Sequence, residues 1–176
     1  MNASDPGTSD SADPDADAVE PGAAPARAGR RPNPAQARHR ARRFAVQALY
    51  QAQVNPIQPL DLVAQFRGDN EFVTADEDYF TAAVTTVMRR REEYDGLFSP
   101  LLDRTLEELD PVERAILRLA TWELRERIDV PYRVVIDQAV NLAKVYGASE
   151  SHRFVNGVLD KLARSLRGAE FGAARG

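Results

Sequence analysis

Two clusters of basic and aromatic side chains are the parts of this 176-residue sequence most suited to chemistry. The first is an arginine-rich segment in which Arg38, Arg40, Arg42 and Arg43 fall within about one and a half helical turns. Tyr50 follows about two turns later. Cations that lead to an aromatic ring are the combination that binds single-stranded nucleic acid. The spacing therefore predicts a nucleic-acid-binding arm, and the alternative is a solvated, charged helix end.

The second cluster lies in segment 151–162, in the first turn of a predicted helix. Arg153, Phe154 and Asn156 place a cation, a stacking surface and an amide near the helix N-terminus, which suits a nucleic-acid backbone and its bases. The same helix has an apolar stripe at helical spacing, so the alternative is an ordinary capped core helix. Gly157 in its middle predicts the close approach of another backbone.

Enzymatic signatures do not occur in the sequence. It has no glycine-rich phosphate loop, no nucleophile elbow and no zinc-binding His-Glu-x-x-His helix. With no cysteine, and with His39 and His152 as the only histidines, it offers neither a thiolate nor a histidine-based metal site. Glu107 and Glu108 fit the first turn of a helix, where carboxylates interact favourably with the helix dipole. We predict a protein that is not an enzyme and that holds no metal.

The net charge of −4 conceals two segments of opposite sign. Residues 1–26 carry six acidic side chains and no basic one, whereas residues 27–43 carry seven arginines and no acidic one. The arginine segment is therefore a local anion-binding candidate on an otherwise acidic protein. No apolar run approaches the roughly 18 residues of a membrane helix, and the acidic N-terminus is unlike a secretory signal. We expect a cytoplasmic protein that does not enter a membrane.

The elements that must position these clusters are helices. Residues 1–32 have almost no large apolar side chain and predict a disordered tail. Residues 33–168 predict a helical domain, followed by a flexible C-terminus at 169–176. No run alternates at period two for long enough to predict a strand. The predicted fold class is therefore all-α, with about seven helices.

Cap and proline signals locate the helix starts. Asn33 with Pro34, and Asp110 with Pro111, each pair a capping side chain with a proline at the first helical position. Further starts are predicted at Pro59, at a capping box from Thr74 to Glu77, at Ser99–Pro100 for a helix that carries Leu101, Leu102, Leu106 and Leu109, and at Pro131 for a helix closed by Gly147.

With the arginine arm and segment 151–162 in place, the sequence resembles the NusB family of bacterial transcription antitermination factors. The resemblance covers about residues 36–166. It rests on blocks that occur in matching order and spacing, namely residues 45–50, 106–109, 112–118, 129–132, 142–147 and 151–162. Several such blocks in order make the resemblance specific.

The resemblance implies an all-α fold of two small packed bundles that binds no cofactor. Such proteins bind the boxA element of nascent RNA together with NusE, a small-subunit ribosomal protein. The pair joins an RNA polymerase complex that resists termination, notably on ribosomal RNA operons. By position, the family's RNA surface matches Arg38, Arg40, Arg42, Tyr50, Lys144, Tyr146, Arg153 and Phe154. Its protein-partner face matches Glu107, Glu113 and Arg118, some of which could also touch RNA.

Alternatives to this function remain at the level of sequence. The same helical domain begins a ribosomal RNA cytosine methyltransferase, which needs a following S-adenosylmethionine domain, whereas this sequence ends at Gly176. A protein-only adaptor, whose arm grips an acidic partner, is the second. Glu113 and Arg118 could instead form a surface ion pair without a docking role. Whether the protein on its own is a monomer or a homodimer is left open.

Overall fold

A computed structural model of the chain describes residues 32–173, and all regular structure within that range is helical. This confirms the predicted all-α class. Residues 1–31, which hold nearly all of the predicted disordered tail, and residues 174–176 lie outside the described range. The α-helices in residues 32–173 are α1 (Pro34–Val54), α2 (Pro59–Arg67), α3 (Glu77–Arg89), α4 (Arg91–Phe98), α5 (Pro111–Glu126), α6 (Tyr132–Tyr146), α7 (Ser151–Leu166) and α8 (Gly168–Ala173).

The cap signals that start α1 and α5 act as the sequence predicts. The Asn33 side chain accepts a hydrogen bond from the Ala35 backbone N–H at 2.9 Å, and Asp110 accepts one from Val112 at 2.8 Å. In each helix the proline follows the cap, where its missing N–H costs nothing. These caps place the arginine arm in the first turns of α1.

Two groups of helices pack around one continuous core. Helices α1, α2 and α3 pack against one another, and α4, α6 and α7 pack around α5. Helix α5 also contacts α1 and α3, so it joins the two groups. Four phenylalanines fill the first group and meet edge to face or tilted, with ring centroids 4.8–6.1 Å apart: Phe44, Phe66, Phe72 and Phe80. The arrangement agrees with the two small bundles that the resemblance implied.

The helix predicted from Ser99 to Leu109 does not form. Helix α4 ends at Phe98, and two 3₁₀ helices, Ser99–Leu101 and Leu106–Glu108, occupy the segment. Leu102 between them is extended. The Glu108 carboxylate accepts hydrogen bonds from the Thr105 N–H at 2.8 Å and from its hydroxyl at 2.9 Å. This local capping box starts a new turn and competes with a continuous helix.

The start of α3 also differs from its predicted position. Asp76, rather than Thr74, is the cap, because its carboxylate accepts a hydrogen bond from the Tyr79 N–H at 3.0 Å. Thr74 belongs to the preceding 3₁₀ helix, Asn70–Thr74. The capping box predicted from Thr74 to Glu77 was therefore wrong by two residues.

The C-terminal segment is helical where flexibility was predicted. Residues Gly168–Ala173 form α8, and the Phe171 ring stacks on Tyr132 with centroids 4.1 Å apart. Arg167, just before α8, is 5% exposed, and its guanidinium donates to the backbone carbonyls of Leu124 and Val130 at 2.5 and 3.1 Å. Carbonyl groups left over at the end of α5 therefore hold a segment that looks polar in sequence.

The glycine that permits a close approach is Gly147, not Gly157. A Cβ atom on Gly147 would lie 2.6 Å from the Ser151 Cβ and 2.7 Å from the Ala143 carbonyl oxygen. Gly157 faces open space on the exposed side of α7, so the approach predicted there was wrong. Gly147 allows the tight turn that brings the end of α6 next to the start of α7.

Candidate nucleic-acid interface

Arg38 lies at the surface with one edge of its guanidinium held in place. Its Nε donates to the Asp76 carboxylate at 2.9 Å, and the guanidinium lies 4.6 Å from the centroid of the Tyr79 ring. Partial burial acts to raise the pKa of Asp76, but hydrogen bonds from the Tyr79 N–H and from Arg38 outweigh it and lower that pKa. The side chain of Arg38 is 26% exposed, so its outer edge can meet an anion.

Arg42 differs from its predicted role. It is 4% exposed, and its Nε and Nη2 donate to the Glu123 carboxylate at 3.0 and 2.8 Å. Burial acts to lower the pKa of Arg42, but the hydrogen bonds and charge of Glu123 outweigh it and raise that pKa. Because this side of α1 faces α5, the arginine forms a buried ion pair. The resemblance matched Arg42 to the RNA surface, but in this structure its guanidinium is turned into the fold and held by Glu123.

Arg40 and Arg43 point away from that ion pair. Arg43 is exposed and Arg40 is partly exposed. Together with Gln47 they line a cleft of about 360 Å³ whose other wall is the segment around Asp69 and Glu71. Neither arginine has an ion-pair partner within residues 32–173. Their guanidinium groups are therefore available to an anionic ligand.

Aromatic residues continue the same side of the molecule. Tyr50 is 42% exposed and lines a hollow of about 540 Å³ with Tyr146 and Phe66. The Tyr146 hydroxyl accepts hydrogen bonds from Gln47 at 2.9 Å and from Arg43 at 3.5 Å, which joins the end of α6 to α1. We call this surface the arm face and define it by Arg38, Arg40, Arg43, Gln47, Tyr50 and Tyr146.

Gln47 was not predicted as a site residue, and Arg43 was noted in the arm but matched no contact of the family. A signal for both was present, because residues 43, 47 and 50 are spaced by four and three and share one side of a helix. What the sequence does not contain is the contact with Tyr146, about a hundred residues away.

The second predicted cluster gathers at the turn between α6 and α7. Lys144 is exposed in the last turn of α6, and Arg153 and Phe154 lie in the first turn of α7. Arg153 is exposed, 3.3 Å from Glu150. Phe154 is partly buried beneath the Arg104 guanidinium, 4.4 Å from the ring centroid. Arg104, which was not predicted, therefore adds a third cation to this turn, beside Lys144 and Arg153.

The three residues matched to a protein-partner face do not form one surface. Glu113 is 7% exposed and accepts a hydrogen bond from the Ser151 hydroxyl at 2.6 Å, so it ties α5 to α7. Arg118 donates to both oxygens of Asp95 at 2.7 Å and lines a cleft on another side of α1. Glu107 alone of the three is exposed. The resemblance matched Glu113 to the partner face, but its carboxylate is buried and held by Ser151, and in the described structure it does not pair with Arg118, which bonds to Asp95 instead.

These features define a class of protein. The chain is a small all-α protein that carries cations and aromatic rings along one side of α1 and at the turn between α6 and α7. Within residues 32–173, no group of three or more His, Cys, Asp or Glu side chains could hold a metal ion. No helix in that range is long and apolar enough to cross a membrane.

Comparison with known proteins identifies the family. The NusB family model matches residues 39–164. The transcription antitermination protein NusB of Pseudomonas putida (strain W619) is 52% identical over 146 residues, which cover 83% of this chain and 87% of that protein. NusB of Alcanivorax borkumensis (strain SK2) is 50% identical over 139 residues, covering 79% of this chain and 93% of that protein. The chain belongs to the NusB family of bacterial transcription antitermination proteins.

A solved structure agrees with this assignment. NusB of T. maritima matches the fold with a TM-score of 0.67 and 31% sequence identity. The match covers 76% of this chain and 96% of that one. The arm and the turn between α6 and α7 fall within residues 39–164 except for Arg38, which precedes the matched range by one residue. The two relatives named above are transcription antitermination proteins.

Proposed function

We propose that this protein binds boxA RNA together with NusE and acts in RNA polymerase antitermination complexes in the bacterial cytoplasm, notably during ribosomal RNA transcription. Family membership supports the role in antitermination. The observation that carries the RNA proposal is the arm face, where Arg40 and Arg43, which have no ion-pair partner among residues 32–173, adjoin the exposed Tyr50 and the partly buried Tyr146.

The arm face has the chemistry of a single-strand site. Arg40 and Arg43 supply charge-assisted hydrogen bonds to phosphate, and Arg38 offers its outer edge. Tyr50 supplies an exposed ring on which a base stacks. The chain as a whole carries a net charge of −4, so attraction of an anion depends on local groups of arginines such as this one. The arm face therefore both attracts RNA and offers the side chains that bind it.

The turn between α6 and α7 extends the proposed path. Lys144 and Arg153 are exposed cations, and the Arg104 guanidinium lies over the Phe154 ring, 4.4 Å from its centroid. An arginine already stacked on a ring is held in one orientation and presents its opposite face to a base. We assign Lys144, Arg153 and the Arg104–Phe154 pair to RNA contact in this proposal.

NusE enters the proposal because the RNA surface is small. A partner that adds its own basic surface raises the affinity for RNA by linkage. The RNA then contacts two proteins that are already bound to each other. Glu107 is exposed in the 3₁₀ helix before α5 and carries a charge complementary to such a partner. We therefore assign Glu107 to NusE contact and leave the buried Glu113 out.

An electrophoretic shift assay tests the proposal. Labelled boxA RNA and a scrambled RNA of the same composition are titrated with the protein, with and without NusE. We expect boxA RNA to bind more tightly than the scrambled RNA, and NusE to increase that affinity. Equal binding of the two RNAs, both with and without NusE, would reject sequence-specific boxA recognition. Binding to NusE without any RNA binding would favour the protein-only adaptor.

A further inference from the structure

His39 shares one side of α1 with three members of the arm face, Arg43, Gln47 and Tyr50. Residues 39, 43, 47 and 50 are spaced by four, four and three, so at 3.6 residues per turn they point within roughly 80° of one another. The imidazole of His39 is partly exposed. A ligand that extends along this side from Tyr50 towards the start of α1 therefore passes His39.

Hydrogen bonds between α1 and α6 hold this side of α1 in place. The His39 Nδ1 and the Gln138 Oε1 are 2.8 Å apart, and Gln47 donates to the Tyr146 hydroxyl at 2.9 Å. The two contacts are eight residues apart on each helix, so α1 and α6 are bridged at two points and run in the same direction between them. A rise of 1.5 Å per residue places these contacts about 12 Å apart. His39 therefore continues the row that begins at Tyr146.

The contact with Gln138 determines which ring nitrogen carries the proton in the neutral imidazole. An amide oxygen accepts hydrogen bonds, so Nδ1 is the donor and Nε2 keeps a lone pair. Nε2 has no hydrogen-bond partner within residues 32–173. Protonation places an N–H and a positive charge at Nε2, while Nδ1 continues to donate to Gln138. The outer edge of the ring therefore repels a phosphate oxygen when neutral and binds one when charged.

The described residues supply no anion to a charged His39, since no carboxylate among them forms an ion pair with it. The acidic groups that reach this part of α1 from α5 and from the start of α3 pair with arginines: Glu123 with Arg42, and Asp76 with Arg38. On α1 itself, Arg40 and Arg43 are cations. Helix α6 contacts His39 through the neutral Gln138, and its charged side chains are not hydrogen-bonded to the imidazole: Arg133, Asp137 and Lys144. RNA on the arm face would supply the missing anion as phosphate.

We propose that His39 is a further RNA contact and that it binds phosphate in its protonated form alone. Binding of RNA to the arm face is then linked to the uptake of a proton. Histidine is the side chain that changes charge between about pH 5 and pH 8. Affinity for RNA therefore rises as the pH falls through that range and declines as the pH rises. This inference rests on the proposed RNA binding and adds to it one residue and a dependence on pH.

The test measures the affinity of the full chain for rhodamine-labelled boxA RNA by fluorescence polarisation, at about pH 6 and about pH 8 and at constant ionic strength. His39→Gln removes the titrating group but keeps a polar side chain, and His39→Arg makes the charge permanent. His152→Gln is the matched control, because His152 is the only other histidine of the chain and is also partly exposed. Circular dichroism melts at both pH values establish that the variants fold.

We expect the wild type to bind RNA about tenfold more tightly at the lower pH, because a charge-assisted hydrogen bond then forms. The magnitude of its salt slope should be larger there by about 0.7, as for one more phosphate contact. His39→Gln should match the wild type within about twofold at the higher pH and gain no affinity at the lower one. His39→Arg should bind tightly at both, and His152→Gln should behave like the wild type.

The inference is overturned if the wild type gains no affinity on acidification, if the gain survives in His39→Gln, or if it is lost in His152→Gln. Binding that His39→Gln weakens by the same factor at both pH values would give the imidazole a packing role and also reject the phosphate contact. In each of these cases RNA binding itself stands. If no RNA binds the wild type at either pH, the proposed function fails and this inference fails with it.

Discussion

Neighbouring arginines on α1 have the same side-chain chemistry but differ in burial and in hydrogen-bond partners. Arg42 is buried, and two of its guanidinium nitrogens donate to the Glu123 carboxylate. Arg43, the next residue, is exposed and, among the described residues, its guanidinium donates to the Tyr146 hydroxyl and to no carboxylate. A rotation of about 100° around the helix separates a structural ion pair from a candidate RNA contact. The comparison teaches that a basic segment is not one functional unit. The partner that each arginine meets across the fold decides its role.

The buried member of this comparison should give the largest effect. We expect Arg42→Ala to destabilise the protein by about 3–5 kcal/mol, because it leaves Glu123 as an uncompensated buried charge. Arg40→Ala, on the exposed side, should change the free energy of unfolding by less than about 0.5 kcal/mol. Urea denaturation followed by circular dichroism measures both. If the two variants are equally stable, the Arg42–Glu123 ion pair does not stabilise the fold.

The exposed arginines should give the reverse result. The double variant Arg40→Ala with Arg43→Ala should keep its fold and lose RNA affinity by about 100-fold at low salt, since each charge-assisted hydrogen bond contributes about 1.5 kcal/mol. The magnitude of the salt slope should fall by about 1.4, at roughly 0.7 per phosphate contact. Arg89→Ala with Arg133→Ala, two exposed arginines outside the arm face, is the matched control. If the salt slope of the double variant equals that of the wild type, Arg40 and Arg43 do not contact phosphate.

Tyr50 sharpens the comparison between charge and stacking. We expect Tyr50→Ala to reduce RNA affinity by about 1–3 kcal/mol without changing the salt slope, because a stacked ring neutralises no phosphate. Tyr50→Phe keeps the ring and should bind nearly as well as the wild type. Electrophoretic shift titrations at several salt concentrations separate the two effects. If Tyr50→Ala folds and binds RNA as tightly as the wild type, Tyr50 contributes to packing and does not stack on a base.

The partly exposed Arg38–Asp76 pair should show the smallest effect. Asp76→Asn removes a half-exposed ion pair and should destabilise the protein by under about 1 kcal/mol at pH 7. Because the pKa of Asp76 is lowered in the folded protein, its stabilising effect is present above the unfolded value near about 4. That effect is lost as the pH falls through the lowered pKa.

Urea denaturation of the wild type and of Asp76→Asn at pH 7 and at about pH 3 measures this effect. The stability difference between the two proteins should shrink at the lower pH. A difference that grows on acidification would have the wrong sign for a carboxylate with a lowered pKa. Asp69→Asn is a useful control, because Asp69 caps a short 3₁₀ helix through the Glu71 N–H at 2.8 Å without an arginine partner.

Local sequence signals predicted most of the fold. Proline and Asn or Asp at the starts of α1 and α5 act within three residues, so their effect on the backbone is readable without the rest of the chain. Segment 99–109 was misread because its leucines have helical spacing, yet the local capping box at Thr105 and Glu108 starts a separate turn. Periodicity and capping conflicted there, and capping determined where the turn begins.

The candidate site was predictable only in part. The positions of Arg40, Arg43 and Tyr50 follow from helical spacing, and the resemblance to the family placed Tyr146 beside them. The stacking of Arg104 on Phe154 joins the segment after α4 to α7 and has no local signal. Burial of Arg167 under the end of α5 likewise depends on carbonyl groups about forty residues earlier. Both are contacts between elements that are distant in the chain.

The sequence by itself determined that this protein is all-α, where most of its helices begin, that one helix carries a dense arginine segment, and that the chain resembles the NusB family. These properties depend on caps, periodicity, composition and ordered motifs, which act or can be read within short stretches of chain. Only the tertiary structure decided which arginines face solvent and which face the core. Arg42 is buried because Glu123, 81 residues away, lies opposite it, and Glu113 is buried because Ser151 of α7 meets it. Burial and pairing are properties of two elements brought together, so neither could be read from one element alone.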